Sequence, residues 1–345
     1  MIDEDKNSGG RILCFGEMLL RLTPNDGELL MQSPGLTVRP GGSEANVSVS
    51  LARYGAPAAL ATVLPDNALG HAARDEVRKH GVDTSRVQFR PGRMGLYFLT
   101  PGAVRRPSEV LYDRAGSAFA QHVDGALDWP ALLEGVEWLH LSGVTPATGP
   151  NGSAAALAAI AAATAAGVKV SFDGNFRGKL WAEWSGDPPC VLGPMLAGSS
   201  LAFADDRDFA LVLGRPFDDP GPAARLRSAA SAAFETWPSL QRICCTLRIN
   251  DSVQDQSLSA VMITREGEHD AGPVSLTGVV DRVGAGDAFA AGVLFGIWSG
   301  WSNDQTLAFG LASSALKHSV PGDFNLFDLA QVRAAMDTKS FDIQR

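Results

Sequence analysis

Cysteine is scarce in this chain and never paired. The 345 residues contain four, Cys14, Cys190, Cys244 and Cys245, and no two stand at C-x-x-C spacing. Cys244 and Cys245 are adjacent in a strand-like run, so their side chains face opposite ways. All four are expected to be reduced packing residues, which suits a cytoplasmic setting. Basic runs are also missing. The formal net charge is −9, which argues against nucleic acid as a partner, so any anionic substrate must be met by locally placed arginines. None of the six histidines stands at metal-ligand spacing from another or follows a nucleophile motif. The longest apolar stretch, Ala154–Ala166, stops at Gly167 and is too short for a bilayer core of ~30 Å, so no membrane partner is expected. Met1–Gly10 is acidic and polar and lacks the basic-then-apolar order of a signal peptide; it is expected to be a mobile tail. No internal repeat or low-complexity linker divides the rest. Charged residues make up only 19% and hydrophobic ones 45%, which leaves a sizeable core and excludes a disordered chain.

What stands out is Asp281-Arg282-Val283-Gly284-Ala285-Gly286-Asp287-Ala288-Phe289, directly before the apolar helical pattern Ala288–Trp298. Small residues leave the backbone bare where a helix begins. The free N–H groups of a first turn, with the helix dipole behind them, form an anion site. Asp287 stands in that same turn. A carboxylate beside an anion hole suits proton removal from a hydroxyl that attacks a phosphoryl group held by the amides. The plainer alternative is a helix start with an ordinary acidic first-turn residue. A second glycine-rich stretch, Pro40-Gly41-Gly42-Ser43-Glu44-Ala45-Asn46, precedes another helical pattern that ends at Gly55, with Ser43 as its expected N-cap. Its plainer alternative is a capped helix after a loop.

Between these stretches, strands and helices alternate, which points to a mostly parallel sheet with helices on both faces. Expected strands include Arg11–Phe15, Ala58–Val63, Trp138–Leu141, Val168–Asp173, Leu201–Ala204, Arg242–Leu247 and Ala260–Thr264. Expected helices are Ala68–His80, Ser153–Ala166, Gly221–Thr236, Ala288–Ser299 and Asn303–Ser319. Pro24–Pro40 is rich in turn residues, and Asn250–Ser257 reads as a polar loop. Met18–Thr23 alternates apolar with polar residues, as a half-exposed strand does. With Met94–Leu99 and Val110–Tyr112 it is expected to form a small sheet standing off the main one. The expected organisation is a tail over residues 1–10 and one domain over 11–345, with small-sheet segments near 18–40 and 92–115.

Both glycine-rich stretches resemble the two signatures of the PfkB/ribokinase family of carbohydrate kinases. Asp-Arg-Val-Gly-Ala-Gly-Asp and Gly-Gly-Ser-Glu-Ala-Asn are most similar to the 2-keto-3-deoxygluconate kinases. So are Gly95-Leu96-Tyr97-Phe98, Tyr112-Asp113-Arg114 and the segment Lys317–Leu326. The resemblance runs from about Ile12 to Asp337. It implies a ribokinase-like three-layer α/β/α domain whose small sheet is a lid over the sugar site, often with a dimer contact through that lid. It further implies Asp287 as catalytic base, with the amides of Gly284, Ala285 and Gly286, and Arg177, at the transferred phosphate. Gly42, Ser43, Glu44, Asn46, Tyr97, Tyr112, Arg114, Arg177 and Asp323 would bind substrate, and Asn175, Thr246 and Arg248, with Gly284 and Gly286, would bind ATP. Arg114 would pair with the carboxylate of a sugar acid, since planar two-point geometry suits that partner. The alternatives are a surface arginine in an ion pair, and for Tyr97 an aromatic on a half-buried strand.

Asp173-Gly174-Asn175-Phe176-Arg177 follows a strand at its C-terminal end, where open α/β sheets bind ligands, and the resemblance implies that Asp173 and Asn175 shape the turn. Gly174–Lys179 is not a P-loop: it is one residue short between its glycines, and Leu180 stands where Ser or Thr would meet magnesium. The family pattern Asn-x-x-Glu, which orders magnesium through water, is replaced here by Asp205 and Asp208, which equally suit a helix N-terminus. Implied cofactors are ATP and Mg2+, with a monovalent cation as a further candidate. The expected reaction is ATP-dependent phosphorylation of 2-keto-3-deoxygluconate at its 6-hydroxyl. Another keto-deoxy acid, or a neutral sugar such as fructose or ribose, is the alternative. A weakly catalytic sugar-binding regulatory protein is the second.

Overall fold

The computed structural model describes residues 9–337 apart from 26, 251 and 253. Most of the expected tail therefore lies outside the described residues. Its last residue does not hang free: the Gly10 N–H donates to Glu137 and its carbonyl accepts from the Trp298 indole.

The first half of the chain comprises β1 (Arg11–Phe15), β2 (Leu19–Thr23), β3 (Thr37–Gly41), α1 (Ser43–Arg53), β4 (Ala58–Pro65), α2 (Ala68–Arg78), β5 (Val87–Arg90), β6 (Gly95–Thr100), β7 (Glu109–Asp113), α3 (Ala118–His122), α4 (Trp129–Leu132), β8 (Val136–Ser142), α5 (Val144–Ala147) and α6 (Pro150–Ala166). The second half comprises β9 (Lys169–Asp173), α7 (Gly178–Glu183), α8 (Pro188–Ala197), β10 (Leu201–Phe203), α9 (Asp206–Leu213), α10 (Pro222–Thr236), β11 (Arg242–Asn250), β12 (Gln256–Thr264), β13 (Glu268–Leu276), α11 (Ala285–Trp298), α12 (Asn303–Lys317) and α13 (Leu329–Asp337).

Nine strands form one sheet in the order β13-β12-β11-β10-β9-β8-β1-β4-β5. From β11 to β5 all neighbours are parallel, and β12 and β13 close one edge antiparallel. Side chains of a strand alternate between faces, and β1 shows the consequence. Leu13 and Phe15 enter one apolar cluster with α6 and α10 residues, while Ile12 and Cys14 enter another with α1, α11 and α12 residues. Both faces are covered, as a parallel sheet requires. The alanine run of α6 buries Ala155, Ala156, Ala159 and Ala163, so that helix lies close to the strands. Among the described residues no helix is long and apolar enough to cross a membrane.

The small sheet has the order β3-β2-β6-β7. Its fourth strand, β3, overlaps the end of Pro24–Pro40, where turn residues hid it. The expected half-exposure of β2 is inverted: Arg21 and Thr23 are buried and Leu22 is the half-buried residue, because the inner face of this sheet covers polar groups. Sequence reading also missed β13, α13 and the short helices α3, α4, α5, α7 and α8, and it read part of β11 and β12 as loop. Cys14 and Cys244 are buried as expected, but Cys190 is exposed; all four are free.

Candidate active site

The first turn of α11 is set by a backbone collision. Gly284 is left-handed at φ 81°, a region that favours glycine. A Cβ there would lie 1.9 Å from the carbonyl oxygen of Asp323. The first bond of the helix, from Ala288 N–H to the Gly284 carbonyl, measures 2.9 Å. The amides of Gly286 and Asp287 precede it and have no partner in their own helix. A Cβ at Gly286 would meet nothing within 4 Å, so its bare backbone faces open space.

The N-terminus of α1 is aimed at the same point. Gly42, not Ser43, is the N-cap residue, at φ 131°. This frees the Ser43 hydroxyl, which donates to Asp287 Oδ1 at 2.7 Å. Asn46 Nδ2 donates to Asp287 Oδ2 at 2.6 Å, and Asn175 Nδ2 donates to Ser43 Oγ at 3.2 Å. The two signatures, some 240 residues apart, thus converge on one carboxylate. Burial pushes Asp287 above the usual carboxylate range, opposed by the Asn46 and Ser43 hydrogen bonds and the charge of Arg177. A raised but still ionisable carboxylate is a better proton acceptor near neutral pH than a free one.

A cavity of about 810 Å³ opens beside this turn, lined among others by Asp173, Asn175, Arg177, Asp208, Thr246, Arg248 and Gly286. That volume suits a nucleotide-sized ligand. It collects the expected ATP residues Asn175, Thr246, Arg248 and Gly286, together with Arg177. Asp205 caps α9 and, with Asp208, forms a reciprocal capping box. Asp205 is also tied to Arg207, so it is the helix-capping alternative that the geometry displays. Asp208 still borders the cavity, and burial and the Asp205 charge push it up to about 6. Burial, with the charges of Asp287 and Asp208, holds Asp173 well above its usual range. Among the described residues no group of three His, Cys, Asp or Glu could hold a metal. The one or two carboxylates here fit Mg2+ only in its usual mode, in which phosphates and water supply most ligands.

The sugar-side expectations need correction. Glu44 turns into the core instead of the cleft: its Oε1 accepts from Ser142 N and Oγ and from Thr145 Oγ1 at 2.9, 2.7 and 3.0 Å. This joins α1 to the end of β8. Arg114 is no surface arginine and no free one. It is buried and paired with Glu17, Nε at 2.7 Å and Nη2 at 2.5 Å from Oε2. One edge of its guanidinium is therefore taken, and Nη1 remains. The Tyr97 hydroxyl donates to Asp323 Oδ2 at 2.5 Å, and Asp323 also receives Arg21 at 3.1 Å. Both residues are thus engaged with protein partners. The Tyr112 ring lies 6.5 Å from that of Tyr97, and the Arg114 guanidinium sits 5.9 Å above it. Glu17, Arg21, Asp281 and Lys317 are the polar residues that sequence reading did not place here. Arg21 had looked solvent-facing from its strand alternation, and Lys317 lies in an apolar helical pattern.

Known proteins share this sequence and geometry. The profile of the pfkB family carbohydrate kinases matches residues 10–327. A 2-dehydro-3-deoxygalactonokinase of Haloferax volcanii is 32% identical over 314 residues, 90% of this chain and 92% of that protein. A 2-dehydro-3-deoxygluconokinase of Thermotoga maritima superposes with a TM-score of 0.88 at 33% identity, covering 95% of this chain and 100% of the other. A putative 2-keto-3-deoxygluconate kinase of Enterococcus faecalis gives 0.88 at 29% identity, covering 97% and 98%.

Proposed function

The chain belongs to the pfkB family of carbohydrate kinases, and from that membership we propose that it phosphorylates a 2-keto-3-deoxy sugar acid with ATP. The observation that carries this is the Asp287 carboxylate, held between Ser43 and Asn46 in the same turn as the bare amides and beside the cavity. In this reading Asp287 takes the proton of the acceptor hydroxyl as its oxygen bonds to the γ-phosphorus, while the bond from phosphorus to the bridging oxygen breaks and ADP departs. The amides of Gly284 and Gly286, with Arg177, meet the charge on the phosphoryl oxygens, whereas the Ala285 N–H, expected from sequence to join them, already donates to the Arg282 carbonyl at 3.3 Å; such transfers depend on positioning and electrostatics. Mg2+, when bound, neutralises phosphate charge. Asn175, Thr246 and Arg248 line the nucleotide side. Arg114 presents its remaining Nη1 edge to the substrate carboxylate, with Glu17 orienting it. Tyr97, Tyr112, Asp323 and Gly42 border the carbon chain, and closing of the small sheet excludes water.

A neutral sugar is the second reading, favoured by the Glu17 carboxylate that already balances Arg114. The small sheet also supports a homodimer. Val38, Leu22, Phe98 and Leu111 pair in register as one apolar row across its outer face, and Val38 and Leu111 are 55% and 56% exposed.

ADP release with Mg-ATP tests the function across 2-keto-3-deoxygluconate, its galacto epimer, fructose and ribose, with and without potassium. Turnover confined to the keto-deoxy acids is expected, and the epimer pair resolves the sugar. Turnover confined to fructose or ribose would overturn the acid pocket and keep the kinase. No turnover with a sugar still bound would mark a regulatory protein.

A further inference from the structure

Beneath the small sheet lies a cluster of charges of which the reaction outlined above uses only Asp323. The side chains of Arg21, Asp281 and Asp323 are 4%, 6% and 3% exposed, and Lys317 is fully buried. Arg21 Nη2 is 2.7 Å from Asp281 Oδ2 and its Nη1 is 3.1 Å from Asp323 Oδ1, while Nε donates to Thr23 at 2.8 Å. Lys317 Nζ donates to the Val320 carbonyl at 3.1 Å, with its charge close to Asp281, Asp323 and Asp287. Two cations thus stand among buried carboxylates. Buried ion pairs of this kind are seldom retained for stability, since apolar replacements of the same volume are often no worse.

What the cluster touches gives it a purpose. Asp281 Oδ1 accepts the Val283 N–H at 3.0 Å, and its Oδ2 accepts that of Gly322 at 2.9 Å. Val283 precedes Gly284, whose Cα lies against the Asp323 carbonyl. At the other end, Arg21 belongs to β2 and Tyr97, bound to Asp323, belongs to β6. An unbroken series of contacts therefore runs from the small sheet to the amides that precede Asp287.

We propose that Arg21 is a positioning residue which, through Asp281 and Asp323, couples the small sheet to the Gly284–Asp287 turn, so that the turn takes its reactive geometry only when the sheet is docked. This rests on the kinase reading of the same site.

The test compares wild type with R21M, R21K and the charge-balanced R21M/D281N in the full-length protein. R21M removes the guanidinium from both Asp281 and Asp323 and is expected to lower Tm; R21M/D281N restores the charge balance and is expected to recover most of it. If positioning is the role, kcat in the double variant stays at least about tenfold down despite the recovered Tm, since misplacement of about 1 Å can cost on the order of 10²-fold. R21K keeps the charge and is expected to fall between. A double variant with wild-type Tm and wild-type kcat would overturn the proposal. Hydrogen exchange gives a readout that needs no turnover. A non-hydrolysable ATP analogue with Mg2+ is expected to slow exchange in Leu19–Thr23 and Gly95–Thr100 of wild type, and only at Ala285–Phe289 in the double variant. Equal slowing of both strands in the double variant would overturn the coupling. A wild type that turns over no sugar would instead refute the kinase reading.

Discussion

Replacing Asp287 by Asn separates chemistry from structure unusually well at this site. The new side chain has the same shape, and its carbonyl oxygen can still accept the Ser43 hydroxyl. Its amide nitrogen would face Asn46 Nδ2, now 2.6 Å from the carboxylate, as one donor against another. Asn46 Oδ1 is buried without a hydrogen-bond partner, so a half-turn of the Asn46 amide restores the pair. Stability is expected to hold or rise. Burial places the folded-state pKa of Asp287 above its ordinary value, so the folded state binds that proton more tightly than the unfolded chain. Between the two pKa values stability falls as pH rises, and at neutral pH the charged carboxylate is a net cost that the amide removes. Catalysis should respond in the opposite sense. A positioned general base contributes about 10²–10⁴-fold, or about 3–5.5 kcal/mol at 1.36 kcal/mol per tenfold. The assay is kcat for ADP release alongside Tm by calorimetry. A kcat within tenfold of wild type would remove Asp287 from the chemistry, and a kcat loss that tracks a fall in Tm would make its role structural.

The two glycines of the catalytic turn should behave differently. Gly284→Ala meets a left-handed φ and an oxygen 1.9 Å away, and is expected to cost more than the ~1–2 kcal/mol of the backbone term alone, seen as a large loss of Tm. Gly286→Ala has open space and should leave Tm unchanged while its methyl weakens ATP binding or turnover. Arg114→Ala leaves Glu17 as an unpaired buried carboxylate, and about 3–5 kcal/mol of stability should be lost; adding Glu17→Gln should recover most of it without restoring sugar-acid KM. Glu44, pushed by burial up to about 7, should make stability decline between roughly pH 4.5 and 7, by up to about 3 kcal/mol. Denaturant titrations at those two pH values should show that decline in wild type and a smaller one in E44Q, where Asp208, Asp173 and Asp287, also raised by burial, still contribute. Leu111→Glu should yield monomers by light scattering if the outer row of the small sheet joins two copies.

Much of this protein was legible in order of sequence because its signals are local. The alternation of strand and helix patterns implied a parallel sheet covered on both faces, and the two glycine-rich turns marked their helix starts and Asp287. Glycine and aspartate carry such information because backbone sterics and free amides act within a few residues. The failures fall where a partner lies far along the chain. Arg21 alternates with leucines as an outward residue would, yet 260 and 302 residues later Asp281 and Asp323 draw it inward. Ser43 looked like an N-cap and is a donor to Asp287 across 244 residues. Glu44 looked like a cleft residue until Ser142 and Thr145 supplied its donors, and Arg114 was expected to meet a substrate carboxylate or a surface ion pair until the turn after β1 brought Glu17 to it in the interior. A motif states which groups can ionise or donate. Which way each buried polar side chain turns is decided by where its compensating partner stands, because a charge removed from water must be matched by another, and only the tertiary structure brings the two together.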